Sequence, residues 1–304
     1  MSSAGLFHLV VVYLLWGSTF LAIRVAVREG SGFPAFTMGA TRVLAAGLIL
    51  LLIAKLRGRR IVPTKAELPV LVGSGLLLWT GGNGLVTWAE QRAASGLAAL
   101  MIGTVPIWVG LFEAYLDRRP PSALLLASLA TALLGIGLLS APVLFSGVER
   151  DVLSILALAV AAVTWAAGTV LQSRRRVQLG LQASSAYQHL AGGLGFVVIS
   201  RLAGEPVAYP VREAWYAWGY LIVFGSIIGY TSYVQALRLL PISIATTNAF
   251  VNPVIAVLLG ALILKEPITP TTLAGAALVL AGVAGVFRDR FRARARVVVG
   301  GGGE

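Results

Sequence analysis

The 304-residue sequence predicts an all-α integral membrane protein with ten transmembrane helices arranged as two inverted five-helix repeats. Three observations predict this fold class. Hydrophobic residues make up 58% of the chain and charged residues only 12%, whereas soluble proteins average about 45–50% and 25%. Long uncharged runs recur along the chain without the alternating pattern of β-barrel strands. The two halves of the sequence also align with each other.

Ten apolar segments are near or above the length of about 20 residues that a helix needs to cross a bilayer. The first two contain one arginine each, and the other eight are uncharged. In chain order they cover residues 6–27, 34–54, 68–89, 93–112, 120–148, 152–173, 177–200, 214–237, 239–264 and 268–287. Helices are expected because they satisfy their own backbone hydrogen bonds in lipid. Little chain is left for a soluble domain, so we expect the functional site inside the bundle.

The basic residues indicate how the chain is oriented. Counted over the loops after even-numbered spans and the C-terminal tail, 16 Lys and Arg lie on one side, against six in the remaining loops. The positive-inside rule therefore predicts a multi-pass protein of the cytoplasmic (inner) membrane with both termini cytoplasmic. Topology and anionic lipid account for the net charge of +12, so no nucleic-acid partner is expected. Residues 291–304 are predicted to be a basic, Gly-rich cytoplasmic tail, disordered or interfacial.

The evidence for a repeat is an alignment of the sequence with itself. A shift of 147 positions places Pro106 on Pro253 and Gly135 on Gly282. We therefore predict one five-helix repeat over residues 1–147 and a second over 148–290. An odd number of spans inserts the second repeat upside down, as in many secondary transporters. A chance match of two proline-bearing membrane helices is the alternative, because Gly and Pro are common in such helices.

Pro106 and Pro253 lie near the middle of the fourth and ninth spans. Each removes a helical hydrogen bond to the carbonyl one turn earlier, near Ile102 and Ala249, so a kink or break is expected there. Such breaks are tolerated in a membrane only against protein or a wet cavity. The two prolines are therefore predicted to act as hinges beside a central site.

Asparagines beside Pro253 point to the same site. Asn248 and Asn252 are four residues apart and share one helical face, which we expect to point inward. The alternative for Asn252 is an interhelical hydrogen bond with no role in binding.

Four stretches occur in a characteristic order: "WGSTF", "ATRVLAAG", "GGNGLVTWAEQRAASGLAALMIGTVPIWVGLFEAYL" and "PISIATTNAFVNPVIAVLLGALILKEPIT". In these stretches, and over nearly its whole length, the chain resembles the drug/metabolite transporter superfamily, EamA-type. The resemblance implies an exporter of amino acids, other small metabolites or toxic compounds, with a central cavity lined from both halves. It does not imply one particular substrate.

Aromatic and polar residues within the spans are the candidates for substrate binding. Trp16 and Trp165 align at a shift of 149 positions and could enclose cargo by stacking or cation–π contacts, or simply pack against neighbours. Asn83 and Thr87 share one face of the third span. The predicted substrate-binding residues are Trp16, Thr19, Asn83, Thr87, Trp165, Tyr230, Tyr233, Asn248 and Asn252.

Charged residues inside the spans suggest a gate. Arg24 and Arg42 are expected near the outer ends of their helices, where long side chains can snorkel. Glu90 is a candidate partner, and Arg42 with Glu90 could form an outer gate or a static ion pair. Glu113 is expected to meet basic residues of the loop that follows it. His189 could relay protons or be a neutral, hydrogen-bonded ring.

The sequence gives no sign of catalytic or cofactor chemistry. It has no cysteine, its two histidines are far apart, and GxxxxGK[ST], GxSxG and HExxH are absent. We therefore expect no enzyme, no metal and no cofactor, with a small-molecule substrate and the lipid bilayer as partners. A monomer is one option for the oligomeric state. The alternatives to amino acid export are broad efflux of drugs or cationic dyes, and a membrane enzyme or scaffold that transports nothing.

Overall fold

The computed structural model describes residues 2–93, 95–145, 152–175, 177–264 and 269–300, and all regular structure in these ranges is helical. Within them we number ten helical elements, two of which have two segments. They are α1 Ser3–Val27, α2 Ala35–Leu56, α3 Leu68–Ala89, α4 Ser95–Ile102 with Val105–Asp117, α5 Ala123–Phe145, α6 Val152–Arg174, α7 Leu181–Leu202, α8 Arg212–Leu239, α9 Ile242–Ala245 with Asn248–Leu264, and α10 Pro270–Gly300.

Seven of the helices in the described ranges are long and apolar enough to cross a membrane: α1, α2, α3, α4, α6, α8 and α10. The predicted fold class, an all-α membrane protein, is therefore confirmed. The basic segment that the sequence predicts to be a disordered or interfacial tail is helical as far as Gly300, where α10 ends.

The second helix of each predicted repeat packs against the other in antiparallel fashion. A Cβ atom added at Gly39 would lie 2.6 Å from the ring of Phe196, and one added at Gly47 would lie 3.0 Å from Leu190. Residue numbers thus rise along α2 as they fall along α7. Glycines at these contacts let the two helices approach closely, as small residues do in membrane bundles.

The fifth helix of each predicted repeat forms a second antiparallel pair. A Cβ at Gly135 in α5 would lie 2.6 Å from the backbone nitrogen of Val279, and a Cβ at Gly282 in α10 would lie 2.7 Å from that of Ala132. Positions 135 and 282, and likewise 132 and 279, are 147 apart, which is the shift that aligns the two halves of the sequence. The Gly135–Val279 contact and the Gly282–Ala132 contact are therefore equivalent in the two halves.

Glu67, in the loop before α3, ties the two halves together beside α7. Its carboxylate accepts hydrogen bonds from the backbone N–H groups of Gln178 and Leu179, both at 2.9 Å, just ahead of α7. It also accepts from the Arg60 guanidinium at 2.7 Å and the Thr64 backbone N–H at 2.8 Å. These bonds, that of Arg60 above all, lower the pKa of Glu67 to about 2, so the carboxylate is charged at neutral pH.

Glu205, in the loop before α8, makes the reciprocal connection. Its carboxylate accepts from the backbone N–H groups of Phe36 at 2.8 Å and Thr37 at 2.7 Å, in the first turn of α2. Helix N-termini favour carboxylates because their first N–H groups lack helical partners. In both cases a carboxylate from the loop before the third helix of one half binds backbone N–H groups at or just before the start of the second helix of the other half.

Two helices contain wide π-helical turns that the sequence analysis did not predict. One covers Leu76–Asn83 in α3, and the other covers Leu221–Gly229 in α8, the corresponding helix of the second half. Such turns are rare and occur frequently at functional sites. Both of them reach the cavity described below.

The two proline-bearing helices are interrupted at different places. The first segment of α4 ends at Ile102 and the second begins at Val105, so Pro106 lies in the first turn, where its missing N–H costs nothing. In α9 the interruption falls at Thr246 and Thr247, before the expected position near Ala249. Pro253 instead lies inside a continuous helical segment.

Candidate substrate-binding site

A cavity lies between the two halves of the bundle, with about 630 Å³ of empty space when its mouth is included. Its walls come from α1, α2, α3 and α4 on one side and from α6, α8 and α9 on the other. Of the predicted substrate-binding residues, the structure brings six together in this cavity: Trp16, Thr19, Asn83, Trp165, Asn248 and Asn252.

The two predicted tryptophans form the aromatic wall of the cavity. Trp16 meets Trp165 edge to face, with ring centroids 5.4 Å apart and an interplanar angle of 82°. The indole N–H of Trp16 donates to the backbone carbonyl of Gly225 at 3.1 Å, which fixes the ring across the π-helical turn of α8. The pair therefore offers an oriented aromatic surface to a ligand.

The two predicted tyrosines are not among the residues that line this cavity. Tyr233 lies behind the tryptophan pair, 4.9 Å from the Trp16 ring, and its hydroxyl shares a 2.7 Å hydrogen bond with Thr169. The Tyr230 hydroxyl donates to Gln188 at 3.0 Å. Both side chains are buried because polar groups in lipid must find protein partners.

The remaining polar candidates divide into two groups. Thr87 is fully buried and is not among the lining residues, and its hydroxyl donates to the Asn83 backbone carbonyl at 2.8 Å. Thr19 lines the cavity, but its hydroxyl donates to the Trp16 carbonyl at 2.8 Å. The buried Oδ1 atom of Asn252 has no hydrogen-bond partner among the described residues.

Arg42 also lines the cavity, a role that the sequence analysis missed. Its side chain does not snorkel outward: it is 2% exposed, and its Nε donates to Ser226 Oγ at 2.9 Å. Its Nη1 lies 3.4 Å from Asn83 Oδ1, and its guanidinium lies 5.4 Å from the centre of the Trp79 ring. A charge placed this deep in a membrane protein marks a functional site by default.

The predicted Arg42–Glu90 gate is not formed in this structure. The guanidinium of Arg24, rather than that of Arg42, reaches Glu90 and donates to its backbone carbonyl. The Glu90 side chain is fully buried, and neither of its carboxylate oxygens has a hydrogen-bond partner within the described ranges.

The predicted hinge prolines lie next to the cavity and do not line it. Val105, which precedes Pro106, and Asn252, which precedes Pro253, both contribute to the wall. A change in helix direction at either proline would therefore alter the shape of the cavity. The hinge role itself stays a prediction.

Two titratable residues left open by the sequence have structural partners. His189 is fully buried, with Nδ1 2.7 Å from the Ser185 carbonyl and its ring 4.4 Å from that of Trp79. Glu113 lies 3.9 Å from Arg174, at the end of α6. Over the described residues, no group of three His, Cys, Asp or Glu side chains could hold a metal ion.

The arrangement of a cavity between two similar halves agrees with a comparison of sequences. The pattern that defines the EamA-like transporter family matches residues 3–141 and 152–288. The chain belongs to the EamA-like transporter family. This EamA-family chain is 37% identical over 254 residues to the inner membrane transporter YedA of Escherichia coli strain K12, a match that covers 83% of the chain and 80% of YedA.

More distant EamA relatives extend the comparison. The transporter YoaV of Bacillus subtilis strain 168 is 23% identical, over 90% of this chain and 94% of its own length. A protein of Streptantibioticus cattleyicolor, named "Probable terminal-alkyne amino-acid exporter", is 26% identical, and the match covers 92% of each chain. The relatives are named as transporters and not as enzymes, in agreement with the prediction.

A solved crystal structure shares the fold. It superimposes with a TM-score of 0.76 over 94% of this EamA chain and 98% of the other, at 21% sequence identity. Together with the apolar helices, family membership establishes a multi-pass membrane protein of a transporter family.

Proposed function

We propose that this chain is a secondary transporter that exports small metabolites, with amino acids as the preferred class, across the cytoplasmic membrane by alternating access. One observation carries the proposal: the cavity is lined from both halves of the chain, with Trp16 of one half facing Trp165 of the other at 5.4 Å. A site held jointly by two halves changes its exposure when one half rocks against the other.

In this proposal, residues 1–147 and 148–290 are inverted five-helix repeats, and all ten helices cross the membrane with both termini cytoplasmic. The antiparallel pairs α2–α7 and α5–α10 support the inversion, because corresponding helices run in opposite directions. The reciprocal contacts made by Glu67 and Glu205 support it as well. The excess of basic residues in even-numbered loops supports the orientation.

The proposed movement is a change of helix direction at the two interrupted helices, with Pro106 and Pro253 beside the moving turns. The α-helix is interrupted at Gly103 and Thr104 in α4, and at Thr246 and Thr247 in α9. Discontinuous helices of this kind commonly form the midplane sites of secondary transporters. Glu90 and Arg24 lie toward the proposed outer end of the same bundle, where they would participate in gating.

The preference for amino acids is supported by the relative from Streptantibioticus cattleyicolor, whose name states an amino-acid exporter. Efflux of cationic drugs or dyes is the second candidate, because the Trp16–Trp165 wall could bind a cation through its ring faces. Counterflow of labelled amino acids, compared with growth protection against a panel of cationic compounds, separates the two.

The test of the proposed function is flux through purified protein in proteoliposomes. Trp16→Ala, Trp165→Ala and Asn252→Ala should each lower the flux of a transported substrate by about tenfold, because each variant removes a contact with the cargo. Trp215→Ala is the matched control, since Trp215 is 48% exposed and lies away from the cavity. Unchanged flux in all three site variants would refute the site, and absence of flux in the wild type would refute the function.

A further inference from the structure

Arg42 is a buried cation that has only neutral hydrogen-bond partners. The described residues place no carboxylate within 4.0 Å of it, and its hydrogen bonds go to Ser226 and Asn83. Glu90, which the sequence analysis named as the candidate partner of Arg42, is instead contacted by Arg24. Burying an unpaired charge is costly, and the Trp79 ring at 5.4 Å offsets that cost only in part. No carboxylate of the described residues thus compensates this positive charge in the wall of the cavity.

The guanidinium of Arg42 has donors left for a ligand. Arginine has five N–H donors, and the bonds to Ser226 and Asn83 use one each, which leaves three. Gly225 leaves space beside the guanidinium because it has no side chain: a Cβ atom added there would lie only 3.0 Å from Nη2 of Arg42. Guanidinium groups bind carboxylates through two parallel hydrogen bonds, so the free donors suit a carboxylate.

An unsatisfied acceptor lies in the same cavity. Asn252 Oδ1 is buried, and the described part of the chain offers it no donor. An ammonium group supplies up to three N–H donors, and one of them would satisfy this oxygen. The rest of the wall includes Trp16, Phe20, Ile23 and Trp165, which suit an apolar side chain.

We propose that Arg42 receives the carboxylate of the cargo and that Asn252 receives its ammonium group, so that the cavity selects zwitterionic α-amino acids. This assignment rests on the proposed transport function and adds the recognition of both charged groups to it. It also decides between the two transport candidates, because a cationic dye would be placed beside an unpaired guanidinium and repelled.

The test uses ligands that differ by one charged group. L-Leucine, L-phenylalanine and L-threonine are each compared with their amides, which lack the carboxylate, and with the corresponding acids that lack the amino group. Binding to purified protein is measured as a rise in melting temperature, since a ligand that prefers the folded state stabilises it. At least one amino acid should stabilise the wild type while its amide does not, and its deaminated acid should stabilise it less.

Variants assign the two contacts separately. Arg42→Gln should weaken binding of the stabilising amino acid by about 10- to 100-fold, because glutamine has no positive charge to bind the carboxylate. Arg42→Lys should weaken binding less, because lysine keeps the charge and loses only the pair of parallel hydrogen bonds. Asn252→Ala should weaken binding of the amino acid but leave binding of the deaminated acid unchanged. Arg201→Gln is the control, because Arg201 is exposed and does not line the cavity.

Each result either supports or overturns the assignment. Equal stabilisation by acid and amide, or stabilisation by none of the carboxylates, would overturn it, and these measurements on the wild type do not depend on how well a variant folds. If the wild type transports a labelled small molecule in proteoliposomes regardless of its carboxylate, the assignment fails and the transport function stands. If the wild type transports nothing, the transport function fails.

Discussion

Replacing either Gly135 or Gly282 with leucine is expected to abolish the accumulation of folded protein. A Cβ at Gly135 would lie 2.6 Å from the Val279 nitrogen, and one at Gly282 would lie 2.6 Å from the Ser128 carbonyl oxygen. These are backbone atoms that cannot rotate away, so α5 and α10 would have to separate. The expected cost is about 3 kcal/mol or more, the upper end of the range for an overpacked core.

The measurement is the yield of monodisperse protein in a mild detergent, determined by size-exclusion chromatography. Gly137→Leu is the matched control, because a Cβ at this position of α5 meets no heavy atom of the described residues within 4 Å. It should give the wild-type yield. Wild-type yields for the Gly135 and Gly282 variants would contradict the close antiparallel packing of these helices.

Gln188→Leu is expected to lower the free energy of unfolding by about 1–3 kcal/mol, because buried groups lose their hydrogen-bond partner. The Gln188 amide joins α3, α6, α7 and α8. Its Nε2 donates to Ser74 Oγ and Gln172 Oε1, both at 2.8 Å, and its Oε1 accepts from the Tyr230 hydroxyl at 3.0 Å. Leucine is similar in size but can bond none of these groups.

Unfolding in detergent micelles, followed by intrinsic fluorescence, measures the change. The double variant Gln188→Leu with Tyr230→Phe should recover part of the loss, because it removes the hydroxyl that the single variant leaves without an acceptor. If the single variant is as stable as the wild type, the buried network contributes nothing to stability.

The sequence predicts the helices well because uncharged runs of membrane length are hard to form for any other reason. It also indicates one interruption correctly, after Ile102, where proline removes a backbone donor. The second interruption is displaced to Thr246 and Thr247 because helix geometry there depends on packing as well as on Pro253. The π-helical turns of α3 and α8 leave no residue pattern that distinguishes them from ordinary glycine-bearing helix.

The candidate site is predicted in part. Tryptophans and asparagines stand out in an apolar segment, and most of those selected line the cavity. Tyr230, Tyr233 and Thr87 do not, because a polar side chain in a membrane bundle can satisfy itself against a neighbouring helix as readily as against a ligand. Arg42 and Trp79 were missed as lining residues for a related reason: helices that are apolar on all sides give no periodicity from which to deduce the inward face.

The contacts of Glu67 and Glu205 with the other half also could not be predicted from the sequence. Glu67 and Gln178 are 111 positions apart, and Glu205 and Phe36 are 169 apart. Neither carboxylate lies beside its backbone partners until the two halves have associated. Such long-range contacts depend on the tertiary fold, which local propensity does not encode.

In the proposed mechanism, one cavity between the two halves opens alternately to each side of the membrane. Ala249→Cys tests it most directly, because Ala249 lines the cavity and the chain has no native cysteine. Membrane vesicles of both orientations are treated with a small, membrane-impermeant thiosulfonate, and Ala46→Cys, buried away from the cavity, is the control. With alternating access, the Ala249→Cys variant, while still active in transport, should be labelled from both sides and Ala46→Cys from neither. Labelling of the active Ala249→Cys variant from one side only, or from neither side, would contradict it.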